Sequence, residues 1–149
     1  MQNSSLKEAQ GYLEKGLEIA KSLNRPDIEA VALNNLGNLY FQRNDYPQSK
    51  KYYTESGMLA GKTEQHELSA RVTLNHFTVL IKLEQFESAH QALKQVLAVE
   101  KQLPASHNTA YLLIRFARAN SQLAGYLPTH KSELTSTAYQ AYKNAAKIA

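Results

Sequence analysis

The chain has 149 residues, 43% of them hydrophobic and 20% charged, with a formal net charge of +4. That length can bury one sizeable core, and the absence of Cys excludes disulfides, thiolate metal sites and Cys nucleophiles. The positive charge is spread along the chain rather than gathered into a Lys/Arg run, and no apolar run approaches the ~18 residues a membrane span needs.

Met1-Gln2-Asn3-Ser4-Ser5 lacks the charged and apolar regions of a secretory signal. Together with the missing Cys, which suits a reducing compartment, this makes a cytoplasmic location the expectation. Apolar residues then recur at three- and four-residue steps throughout, which predicts helices over about 4–23, 27–42, 46–62, 66–83, 86–102, 107–124 and 131–148. Asn24-Arg25-Pro26-Asp27 ends the first helix and opens the second, with Pro near the helix start. Arg43-Asn44-Asp45 reads as a tight turn, with Asp45 capping the third helix and Gln48 placed for a capping box. Gly61-Lys62-Thr63 loosens the third helix at its end, and Leu103-Pro104-Ala105-Ser106 stops the fifth, with Ser106 as the cap of the sixth. Gly125 and Pro128 are expected to end the sixth. Val, Ile and Thr never alternate with polar residues over a convincing stretch, so no strand is expected.

The helices repeat. Leu6, Tyr46, Phe86 and Tyr126 stand 40 residues apart. Ala9, Ser49 and Ala89 form a column of small residues in the same phase, Leu13, Tyr53 and Leu93 a large apolar one. Gly16, Ser56 and Val96, then Ile19, Leu59 and Val99, complete the register. Self-similarity at such a period is the mark of a solenoid of stacked units.

Within one unit, Leu33-x-x-Leu36-Gly37-x-x-Tyr40 followed by Ser49, Tyr53 and Ser56 resembles the tetratricopeptide repeat, in a long-period variant. Small residues let helix backbones approach closely while Leu36, Tyr40 and Tyr53 fill the space between them. The next unit is more divergent, with Thr73, His76, Phe77 and Leu80 on its first helix and Ala89, Leu93 and Val96 on its second; a third has Leu113, Phe116, Ala117 and Asn120. Its second helix is expected to be displaced by a longer turn over Gly125 to His130. The expected fold is therefore an all-α, α-α superhelix of about seven helices in antiparallel pairs. It forms one domain over 1–149, divided into a half repeat at about 4–23 and repeats at 27–62, 66–102 and 107–148. Because the first helix aligns with the second helix of a repeat, the chain reads as an excerpt of a longer protein.

In this family the first helix of each repeat lines a concave surface that binds other proteins. Carried onto this chain, that face holds Asn34, Asn38, Phe41 and Gln42, then Arg71, Asn75, Thr78 and Lys82, then Tyr111, Arg115, Arg118 and Gln122. The set contains no Asp or Glu. Amides can pair with both donor and acceptor of a peptide backbone, and Arg can clamp a carboxylate through two parallel bonds. The resemblance thus implies a groove for a peptide or partner protein of acidic character. Some members grip a partner's C-terminal carboxylate with a clamp of five residues: Lys and Asn, then Asn, then Lys and Arg. Asn38, Asn75 and Arg115 match three of its places, while Asn34 and Tyr111 stand where the two Lys would be.

Nothing in the sequence indicates catalysis or a cofactor. Gly57 to Thr63 ends in Gly-Lys-Thr but is one residue short of a phosphate-binding loop and follows a helix, not a strand. No GxSxG elbow occurs. His66, His76, His90, His107 and His130 are scattered without metal-binding spacing, so no metal site is expected. His76 sits at a packing position and reads as a hydrogen-bonded core or groove histidine. Tyr111, Arg115 and Arg118 alone do not make the basic, aromatic-laced stripe that nucleic acid requires. The expected function is protein–protein interaction without enzymatic activity. The alternatives are a regulatory or sensor segment of a larger enzyme, such as a caspase-like peptidase, or of a transcription regulator, and a self-associating scaffold joined through its terminal helices.

Overall fold

The computed structural model of the protein describes residues 2–148; Met1 and Ala149, the two ends of the expected 1–149 domain, lie outside the described residues. These hold seven α-helices and no strand: α1 (Gln2–Ser22), α2 (Pro26–Gln42), α3 (Tyr46–Lys62), α4 (His66–Lys82), α5 (Phe86–Val99), α6 (His107–Tyr126) and α7 (Lys131–Ile148). Short 3₁₀ turns at Glu100–Gln102 and Pro128–His130 follow α5 and α6. Each helix packs on the next, and α4 also packs on both α2 and α6. The first helices α2, α4 and α6 thus form one continuous layer of an all-α superhelix of the tetratricopeptide type.

The turns explain the regularity. Asn24, Asn44, Glu64 and Glu84 have φ of 52°, 61°, 55° and 57°, and they recur every 20 residues. After each, a backbone N–H reaches five residues back: Arg25 to Ala20 O, Asp45 to Tyr40 O and Gln65 to Ala60 O at 2.9 Å, and Gln85 to Leu80 O at 2.8 Å. This left-handed cap closes the free carbonyls of the helix end. Asn suits the left-handed region better than Glu does. At the other ends, Asp45 Oδ1 accepts the Gln48 N–H at 3.3 Å and Ser106 Oγ accepts the Thr109 N–H at 3.2 Å.

Two boundaries differ from the expectation. α5 does not run helically to 102: it tightens into a 3₁₀ turn at Glu100, because Leu103 precedes Pro104 and takes extended geometry (φ −80°, ψ 135°). α6 continues through Gly125 to Tyr126, so Gly125 is not a stop; Leu127, the residue before Pro128, leaves helical geometry (φ −125°, ψ 77°) and ends it. α7 begins directly after the Pro128–His130 turn.

The core falls into two clusters, both of which draw on α4. Leu74, Phe77, Leu93, Val96, Leu112, Phe116 and Leu134 join α4 to α7 in one cluster. Ala30, Tyr53, Ala60, Leu68 and Val72 join α2 to α4 in another. The small residues behave as close-approach points. Ser49 Oγ donates to Gly37 O at 2.7 Å and Ser56 Oγ donates to Ala30 O at 2.6 Å, both fully buried. Each hydroxyl stitches α3 to the backbone of α2 without leaving a buried polar group unpaired. No helix among the described residues is long and apolar enough to cross a membrane.

Candidate functional site

The face expected to form the groove is built on α2, α4 and α6. Its centre is a ladder of side chains from α2, α4 and α6. Asn75 Nδ2 donates to Asn34 Oδ1 at 3.1 Å, and Arg115 Nη2 donates to Asn75 Oδ1 at 3.0 Å. Tyr53 reaches through from α3 and donates its hydroxyl to Asn38 Oδ1 at 2.5 Å. Burial pushes the Tyr53 hydroxyl up to about 12, so it stays a donor.

The expected residues divide accordingly. Asn34 is buried, at 5% exposure, and its amide oxygen is used by Asn75; it orders the ladder rather than facing solvent. Asn38, Asn75 and Arg115 are half-buried. Gln42, Arg71, Thr78, Lys82, Tyr111, Arg118 and Gln122 are exposed. Phe41 is the exception: it packs on the second core cluster, with its ring tilted against Tyr46 at 5.5 Å between centroids. A phenyl ring half a turn from a tyrosine at the next helix start buries apolar area there instead of lining the groove. Thr78, Tyr111, Arg115, Arg118 and Gln122 converge on an open cleft of about 250 Å³ floored by Leu74 and Phe77.

The groove's charge is less uniform than its own residues suggest. Arg71 is held by Glu67 one turn earlier on α4, at 3.1 Å. Arg115 differs: among the described residues no carboxylate lies within ion-pair distance of it. Burial pushes its guanidinium pKa down, Tyr111 and Tyr53 pull it up, and Arg71 pushes it down further. Of the clamp places matched in the sequence, Asn38 is engaged by Tyr53, and Asn75 and Arg115 by each other.

Residues 30–56 match a family described as tetratricopeptide repeat. The chain carries a tetratricopeptide repeat. The matched segment runs from Ala30, whose carbonyl accepts the Ser56 hydroxyl, to Ser56 itself, so the sequence match spans one hydrogen-bonded helix pair. A search of curated proteins finds no match to this chain. Tetratricopeptide repeats generally mediate contacts between proteins.

Three histidines depart from the sequence reading. His76 is not a hydrogen-bonded histidine at both nitrogens: its Nε2 is buried without a partner. Burial, and then Lys50, lower its pKa, and it lines a cleft of about 670 Å³ between α3, α4 and α5. His90 and His130, expected to be scattered, lie together with ring centroids 4.5 Å apart. The signal lay in their spacing, since the two stand 40 residues apart, like Phe86 and Tyr126, whose rings stack at 4.4 Å.

Proposed function

We propose that the tetratricopeptide repeats act as one domain whose α2–α4–α6 face binds an extended, acidic segment of a partner protein. Arg115 carries this reading. Its guanidinium sits half-buried at the edge of a cleft, fixed by Asn75 and with no carboxylate of its own within reach among the described residues. A carboxylate supplied by a partner would meet a preorganised, partly desolvated donor, the setting in which charge-assisted hydrogen bonds are strongest. Arg118 and Lys82 add positive charge on exposed positions, and Gln122 and Tyr111 offer uncharged donors and acceptors around the same cleft. Recognition of this kind needs no catalytic group.

The test is capture of partners from source lysate, followed by titration of the captured segment as a peptide. Arg115→Glu/Arg118→Glu is expected to weaken binding by about 10- to 100-fold, from the loss of a charge-assisted bond worth about 1.5–3 kcal/mol. Circular dichroism should be unchanged. Undiminished affinity in the variant removes the groove from the binding site.

A second reading has its own observation. Tyr12 and Ile19 on α1 and Leu23 just past its end are 75%, 57% and 65% exposed, at a spacing that continues one helix face with Gly16. A stripe at that spacing suits packing against a second copy. A concentration series in analytical ultracentrifugation showing monomer throughout eliminates it.

A further inference from the structure

Four side chains from two helix starts converge outside the groove. Glu87 and His90 lie three residues apart in the first turns of α5, and His130, closing the 3₁₀ turn that leads into α7, lies three before Glu133 in the first turn of α7. Residues at that spacing share a helix face. α5 and α7 are the second helices of successive repeats, and they run side by side in the same direction. Their starts meet at these residues, and farther along Asn144 Nδ2 of α7 donates to Glu100 Oε1, just past α5, at 2.9 Å.

The geometry is that of ligands around a gap. One donor atom each from Glu87, His90 and His130 lies within 4.8 Å of the other two. Glu133 spans both rings, with Oε1 at 3.8 Å from His90 Nε2 and Oε2 at 3.7 Å from His130 Nδ1. These separations are too long for hydrogen bonds. The edges of a tetrahedron around zinc, with bonds of about 2.0–2.2 Å, are about 3.4 Å. His90 is 3% exposed, and no hydrogen bond engages its ring among the described residues. This nearly buried imidazole thus faces a second imidazole and a carboxylate, with no hydrogen bond between them.

We propose that Glu87, His90, His130 and Glu133 bind a divalent transition-metal ion, zinc first among them, that clips α7 to α5. Two imidazoles select zinc-like ions over magnesium or calcium, which prefer oxygen alone. Two carboxylates match the charge of the ion and offset the positive ends of both helices. Closing the shell among Glu87, His90 and His130 takes a contraction of at most about 1.4 Å, and the exposed Glu133 side chain would turn in as the fourth ligand. The ion would fix the pitch of the last repeat at the starts of these helices, as Asn144 and Glu100 do farther along. The groove reading is independent of this, because the cluster lies between second helices.

The experiment is equilibrium dialysis of the intact chain against zinc chloride, with metal analysis and thermal melts. One zinc per chain and a raised melting temperature are expected, with no response to magnesium or calcium. His130→Ala and Glu87→Gln should melt like wild type without zinc, since neither side chain is buried. Each should lower zinc affinity by at least about 10- to 100-fold, the cost of losing even a supporting contact at a metal site. The proposal is overturned if zinc is not retained stoichiometrically, if His130→Ala retains it equally well, or if magnesium binds as tightly as zinc.

Discussion

Replacing Gly37 with Ala tests the closest approach in the fold. A Cβ at Gly37 would lie 2.5 Å from both Cδ1 and Cε1 of Tyr53 and 3.1 Å from its Cγ. Carbon atoms in contact need about 3.5–4.0 Å, so the ring would have to retreat by about 1 Å. Tyr53 is 3% exposed and pinned at its far end by its bond to Asn38, so little retreat is open to it. Overpacking of this kind costs about 1–3 kcal/mol. Removing a helix-interior glycine returns about 0.5–1 kcal/mol. The net is a loss centred on about 1 kcal/mol and at most about 2.5 kcal/mol, or a fall of about 3 °C and at most about 8 °C in melting temperature for a chain of this size. Gly11→Ala is the control: it lies inside α1 with nothing within 4 Å of an added Cβ, so it should stabilise by about 0.5–1 kcal/mol. Thermal melts of the two variants should therefore move in opposite directions. In a Tyr53→Ala background the Gly37→Ala penalty should vanish, because the two residues are coupled through that contact. If Gly37→Ala melts at or above wild type, the packing argument is wrong.

Ser56→Ala removes a buried hydroxyl bond between α3 and the Ala30 carbonyl, and should cost about 1 kcal/mol by urea unfolding, the carbonyl keeping its helical partner. His76 gives a pH dependence. Its folded pKa lies below the unfolded value near 6.5, so its contribution is fully present above that value and is lost as pH falls through it toward the folded pKa. His76→Gln should therefore lose less melting temperature than wild type between about pH 7.5 and about pH 5.5; an equal loss would clear His76 of the effect.

The fold was legible because the restraints that make it are local. The helix-period spacing of apolar residues, Asp45 and Ser106 as caps, and Pro26 in a first turn all speak of their own segment, and each stands where expected. Gly37, Ser49 and Ser56 were readable as close-approach points because smallness is the property that packing needs. What the sequence hid was partnership across repeats. Asn34 was counted as a groove residue because position alone does not reveal that Asn75 takes its amide and buries it. Phe41 was placed on the groove by phase, yet Tyr46 offers it more apolar area. Groove position likewise does not reveal that Glu67, one turn earlier on the same helix, pairs with Arg71. The His90–His130 pair escaped because metal motifs are ordinarily sought within one short segment, whereas here two such segments meet one period apart. The repeat columns also carry different burdens at different sites: Tyr53 and Leu93 are buried, while Ile19, in phase with Leu59 and Val99, is exposed on α1.

Every substantial contact joins elements one or two steps apart along the chain, and no clasp among the described residues links α1 to α7. A small rotation at one interface is therefore passed on to everything beyond it, and rotations of the same sign accumulate instead of cancelling. The molecule is mechanically a coil spring, whose inner face widens or narrows through many slight adjustments and no hinge. The ladder of Asn34, Asn75 and Arg115 runs across those turns of the spring, so anything that takes hold of Arg115 also sets how far the coil is wound.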